Sequence, residues 1–145
     1  METVWLKGEE KMYRKWLIVW IGIFLSTYQG MAKGVELTKK VDFDIGQKRV
    51  TLHGTVQGFV KTNYQFYANK GEVLHVNIDS SKAYFKIYSP FKNSSDTPLF
   101  KGETEGSSYN EKLKRSGMYV IQTYLPYDDA KIDMKAIYTL NLSIE

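Results

Sequence analysis

The 145-residue chain has no cysteine and only three prolines. The missing cysteine removes disulfide frameworks, thiolate zinc sites, thiol nucleophiles and a lipid-bearing N-terminal cysteine together. It also leaves the redox compartment unreadable from this residue type. Charge of one sign is scarce too, because 20 basic residues face 16 acidic ones. The basic pairs Lys39/Lys40, Lys48/Arg49 and Lys114/Arg115 are scattered among carboxylates, whereas a nucleic-acid binder concentrates them on one stripe. No nucleic-acid partner is expected.

Long apolar runs are equally absent. The run Trp16–Leu25 is too short for a bilayer, which takes about 20 apolar residues. It follows Arg14 and Lys15 and precedes polar Ser26, Thr27 and Gln29 and then Gly30-Met31-Ala32. A basic lead, an apolar stretch and small residues at a cut are the grammar of a secretory signal. Residues 1–32 therefore read as a signal peptide cleaved after Ala32. Met12 makes a more ordinary start, so Met1–Lys11 reads as an over-extended frame. Trp5, Trp16 and Trp20 all lie upstream of the cut, and the exported domain, residues 33–145, keeps no tryptophan.

What is present is β-prone. Eleven Tyr and seven Phe suit the flat surface of a sheet, and no segment holds a 3.6-residue apolar period. Strands are expected at 35–44, 49–56, 63–68, 72–79, 82–88, 99–101, 118–125 and 136–144. The fold class is all-β: a single-domain antiparallel β-sandwich of about eight short strands. Alternation turns Leu74, Val76 and Ile78 inward, likewise Ala83, Phe85 and Ile87, with Tyr84, Lys86 and Tyr88 outward. Tyr138, Leu140, Leu142 and Ile144 share another inner face. Asn69-Lys70-Gly71 reads as a hairpin turn, and the stretches 90–96 and 102–110 as polar loops.

The catalytic inventory is thin. His53 and His75 are the only imidazoles, and both fall inside expected strands with no Ser or Asp at a motif spacing. No Gly-rich phosphate cradle is present, and two separated His without Cys make no metal site. Asp128, Asp129 and Asp133 lack the alternating acidic pattern of a calcium loop. No cofactor, metal or catalytic residue is assigned, and the chain reads as a protein that acts by binding.

The segment Tyr64-Gln65-Phe66-Tyr67-Ala68-Asn69-Lys70-Gly71, followed by His75-Val76-Asn77-Ile78, resembles the periplasmic inhibitors of g-type lysozyme. The likeness continues through Ser116-Gly117-Met118-Tyr119, Asp129-Ala130 and the last strand from Tyr138, covering about residues 56–145. It implies a periplasmic or secreted protein whose partner is a g-type lysozyme. It also implies a mechanism in which surface loops plug the enzyme's cleft, with Ser116, Gly117, Tyr119, Asp129, Lys131 and Tyr64 as the partner-binding residues. The loops at Ser116–Gly117 and Tyr127–Asp133 are expected to lie side by side. Lys131 stands where the pattern carries Arg, and an ammonium cannot make the planar, two-pronged hydrogen bonds of guanidinium. The same elements fit a non-catalytic secreted carbohydrate- or envelope-binding sandwich of the pre-peptidase C-terminal type. In that reading Gly117 turns the chain and Tyr119 belongs to the core.

Overall fold

A computed structural model describes residues 34–43, 46–92 and 96–145. The expected signal peptide and its cleavage site lie outside the described residues. Nine strands are found among them: β1 Glu36–Lys40, β2 Arg49–Gln57, β3 Lys61–Ala68, β4 Val73–Asp79, β5 Tyr84–Tyr88, β6 Phe100–Lys101, β7 Ser108–Lys112, β8 Gly117–Tyr124 and β9 Lys135–Ile144. Two single helical turns join them, α1 Gly102–Glu105 and α2 Tyr127–Lys131. One sheet runs β1-β3-β8-β5-β6 and the other β2-β9-β4-β7, so the domain is the expected sandwich. No helix among the described residues is long and apolar enough to cross a membrane.

Period-two alternation builds the core as the sequence dictates. Leu74, Val76 and Ile78 are buried, as are Ala83, Phe85 and Ile87 and the row Tyr138, Leu140, Leu142 and Ile144. Phe85 stacks on Phe100 with centroids 4.9 Å apart, and Phe100 meets the edge of Tyr109 on the opposite sheet at 5.5 Å. Alternation misplaces one residue: Tyr88, assigned outward, is only 3% exposed.

A line of hydroxyls crosses the middle of this apolar layer. Tyr64 on β3 and Tyr138 on β9 meet oxygen to oxygen at 2.7 Å, and Thr123 on β8 donates to the Tyr138 hydroxyl at 3.1 Å. Every buried oxygen in the line has a partner, so the sheets are fixed against sliding at little desolvation cost. Burial, together with the Tyr138 hydroxyl, pushes the Tyr64 phenol far above its usual range. The Tyr64 phenol therefore keeps its proton at physiological pH. Gly54 on β2 faces Tyr138 in register, and a methyl group there would meet the Tyr138 oxygen at 2.3 Å. Glycine at that strand position clears the path of the bridge.

Three expectations are corrected. Asn69-Lys70-Gly71 is a turn with Gly71 at φ +94°, but it joins two sheets and closes no hairpin. β3 pairs with β1 and β8, whereas β4 pairs with β7 and β9. The first strand is shorter than expected and runs parallel to β3, tied by Asn63, which donates to Glu36 at 3.0 Å and accepts from Gln122 at 2.9 Å. The stretch 102–110, taken as a loop, contains α1 and the start of β7. The nine strands among the described residues agree with the expected number of about eight.

Replacing Tyr138 by Phe leaves the buried Tyr64 hydroxyl without its partner and Thr123 with the Thr62 carbonyl alone, and the expected loss is about 1–3 kcal/mol in urea unfolding. The Tyr64→Phe/Tyr138→Phe pair should cost less than the sum of the single changes, because one bond is shared.

Candidate functional site

Gly117 opens β8 directly after Ser116, and α2 begins three residues beyond the strand's last residue, Tyr124. Eight residues of strand span about 26 Å. The loops expected side by side therefore sit at opposite ends of the sandwich. The reason is topological: β8 and β9 belong to different sheets, so the segment between them crosses the far end and does not fold back. Tyr64 and Tyr119 are also corrected as contact residues. Their side chains are 2% and 1% exposed, and they act from within by holding the surface in shape.

The end containing Ser116 is assembled from three stretches of chain. Ser116 is exposed, and its Oγ accepts the Lys70 N–H at 2.8 Å. The Gly71 N–H donates to the Leu113 carbonyl at 2.8 Å, and the Leu113 N–H donates to the Glu72 carbonyl at 2.7 Å. From inside, the Tyr119 hydroxyl donates to the Arg115 carbonyl at 2.7 Å while its ring stacks on Phe66 at 5.9 Å. Burial pushes the Tyr119 phenol upward, which keeps that donor proton in place. Gly117 adopts φ +143° and lies under Pro90, where an added Cβ would meet a proline carbon at 2.7 Å. The Ser-Gly-x-Tyr element is thus a turn lock: serine ties it to the neighbouring turn, glycine bends it under Pro90, and tyrosine anchors it to the core.

This end is positively charged. Lys70, Lys112, Lys114 and Arg115 belong to it, and none is within ion-pairing distance of a carboxylate among the described residues. A groove of about 790 Å³ beside the turn is lined by Lys92, Lys112, Lys114 and Arg115, with Glu105 and Glu111 as its acids. Lys48 is the exception, bonded to Glu72. Glu72 also accepts the Asn69 N–H at 2.7 Å, and this bond, with Lys48 second, holds its carboxyl below the usual range. The expectation from sequence had named Ser116 and missed Lys70, Lys114 and Arg115. The turn partner of Ser116 lies 46 residues away, so only the pair Lys114/Arg115 carried a local signal.

The α2 end is self-neutralised. Lys131 pairs with Asp128 at 3.5 Å, and Asp129 pairs with Lys82 at 3.9 Å. Gln57 donates to Asp133 at 3.0 Å. Its exposed surface is apolar instead, with Tyr127 against Phe59 and with Ile132 outside the core.

The lowered pKa of Glu72 carries a signed prediction. Its bonds contribute stability above the ordinary carboxylate pKa, and that contribution is lost as pH falls through the lower folded-state value. Hydrogen-exchange protection at Lys70 and Gly71, taken relative to the intrinsic rate at each pH, should fall on acidification in the native protein, and less so in Glu72→Gln.

No family model matches the chain. An Escherichia coli K12 protein named inhibitor of g-type lysozyme is 26% identical over 136 residues, covering 93% of this chain and 98% of that protein. A solved periplasmic inhibitor of g-type lysozyme from Aeromonas hydrophila is 25% identical, with a TM-score of 0.72 over 77% of this chain and 99% of its own. The corresponding Salmonella Typhimurium structure is 27% identical, with a TM-score of 0.60 over 75% and 98%. In sequence and in fold the chain resembles the periplasmic inhibitors of g-type lysozyme.

Proposed function

We propose that the chain is an exported, periplasmic protein that inhibits g-type lysozyme, and that the Ser116 end enters the enzyme's substrate groove. The similarity to named inhibitors, nearly end to end along those proteins, supports the inhibitory reading. One observation favours this end: the Ser116 turn is locked by four hydrogen bonds and surrounded by cations that have no carboxylate partner among the described residues. Glycan-cleaving grooves are commonly built around acidic side chains, so unpaired ammonium and guanidinium groups are drawn to them. A turn already held in shape loses little entropy on docking. Occlusion asks no chemistry of the inhibitor, which reads as non-catalytic.

Lys131 and Asp129 are less suited to lead, because each already satisfies a neighbour. They remain the second candidate contact, favoured by the exposed Tyr127 ring beside them.

Purified protein should abolish peptidoglycan lysis by a g-type lysozyme near equimolar ratio, and full lysis at tenfold excess would discard the reading. Lys114→Glu/Arg115→Glu should weaken inhibition about tenfold or more and flatten its salt dependence, while Lys131→Ala changes it by no more than about twofold. The reverse ranking would move the contact to the α2 end.

A further inference from the structure

Among the described residues β2 is the outer strand of its sheet, bonded to β9 on one side and open on the other. An open strand edge is a template for pairing with another chain, and stable monomers blunt it with charge, proline or shortness. The other three outer strands follow that rule. β1 carries Glu36, Lys39 and Lys40, β6 has two residues, and β7 carries Glu111 and Lys112. β2 follows it least: it runs for nine residues, RVTLHGTVQ, with no proline and no carboxylate, and its one formal charge, Arg49, stands at its very end.

Its sequence is also symmetric about His53. Laid antiparallel against its own copy, β2 places Arg49 opposite Gln57, Val50 opposite Val56, Thr51 opposite Thr55, Leu52 opposite Gly54, and His53 opposite His53. Residues opposite one another share a face, so the inner positions 50, 52, 54 and 56 of one copy continue those of the other. Val50 and Leu52 are only partly buried in the single chain and pack against the core from this edge. Two threonines opposite each other and two valines opposite each other are both favourable cross-strand pairs. A slip of two residues shortens the ladder to seven pairs, and a slip of one sets polar positions against the core layer.

We propose that two copies of this chain associate through their β2 edges, across a two-fold axis at His53, into one continuous eight-stranded sheet. The four-stranded sheet of each copy supplies half. Arg49 begins β2 at the same end as the Ser116 turn, because Lys48 is bonded to Glu72 there. The antiparallel partner therefore points its own turn the opposite way, and both turns stay free for an enzyme. The association stands independently of the inhibitory reading, since nothing in it uses the Ser116 end.

The cysteine-free chain suits a cross-linking test. Under mild oxidation His53→Cys should form a disulfide-linked dimer, because residue 53 alone faces itself. Thr51→Cys by itself should not, whereas an equimolar mixture of Thr51→Cys and Thr55→Cys should. In sedimentation the unsubstituted protein should be dimeric in the micromolar range. Thr51→Lys/Thr55→Lys, which sets lysines opposite each other on the exposed face, should weaken the dimer at least tenfold with an unchanged circular dichroism spectrum. A monomer at all micromolar concentrations, or cross-linking by Thr51→Cys alone as readily as by His53→Cys, overturns the proposal.

Discussion

The hydroxyl bridge from Tyr64 through Tyr138 to Thr123 is the constraint from which the rest follows. Apolar burial holds two sheets together but does not say where one sits over the other, because dispersion is nearly indifferent to a small slide. Three buried oxygens are not indifferent, since separating them strands polar groups in a dry layer. The bridge links β3 and β8 of one sheet with β9 of the other, the strands from which both ends are built. Within the sheet that the bridge anchors, Tyr119 on β8 is the register partner of Phe66 on β3, its ring stacks there, and its hydroxyl reaches the turn at Arg115. The stiffness of the surface is thus inherited from the interior.

Much of this interior was readable in the amino-acid order. The rows Leu74/Val76/Ile78 and Tyr138/Leu140/Leu142/Ile144 alternate without a fault, and period two is a local property of an extended chain. Strand partnership is not local. Nothing within Asn69-Lys70-Gly71 tells a hairpin from a crossing between layers, because both need a tight turn and a residue with positive φ. Glu36–Lys40 was seen as a strand, but its parallel run beside β3 depends on Asn63 and Gln122, which lie far along the chain. The strand Ser108–Lys112 was hidden because its exposed pattern of Ser, Asn, Glu and Lys looks like a loop.

The candidate site was legible in part for the same reason. Ser116, Gly117 and Tyr119 stood out as a motif, and the structure gives each a mechanical task around one turn. Their spatial relation to Asp129 and Lys131 was misjudged, since sequence proximity across a single strand becomes maximal separation when the strand is straight. Tyr64 stood out for being aromatic within a matching segment, and it proved to be interior. Charge pairing, which separates the two ends so clearly, is invisible until Lys82 is placed beside Asp129 and Asp128 beside Lys131.

The place of β9 has a consequence for how the molecule comes into being. It lies between β2 and β4, so β2 has no partner in its sheet and β4 has only β7 until residues 135–144 exist. Partners separated by some ninety positions, such as Thr51 and Asn141, must find each other across a long loop, and such closures are slow. A nascent chain emerging from its N-terminus would hold one layer incomplete until the final strand arrives. Carrying no covalent cross-link to shorten the search, it would acquire its shape late and all at once.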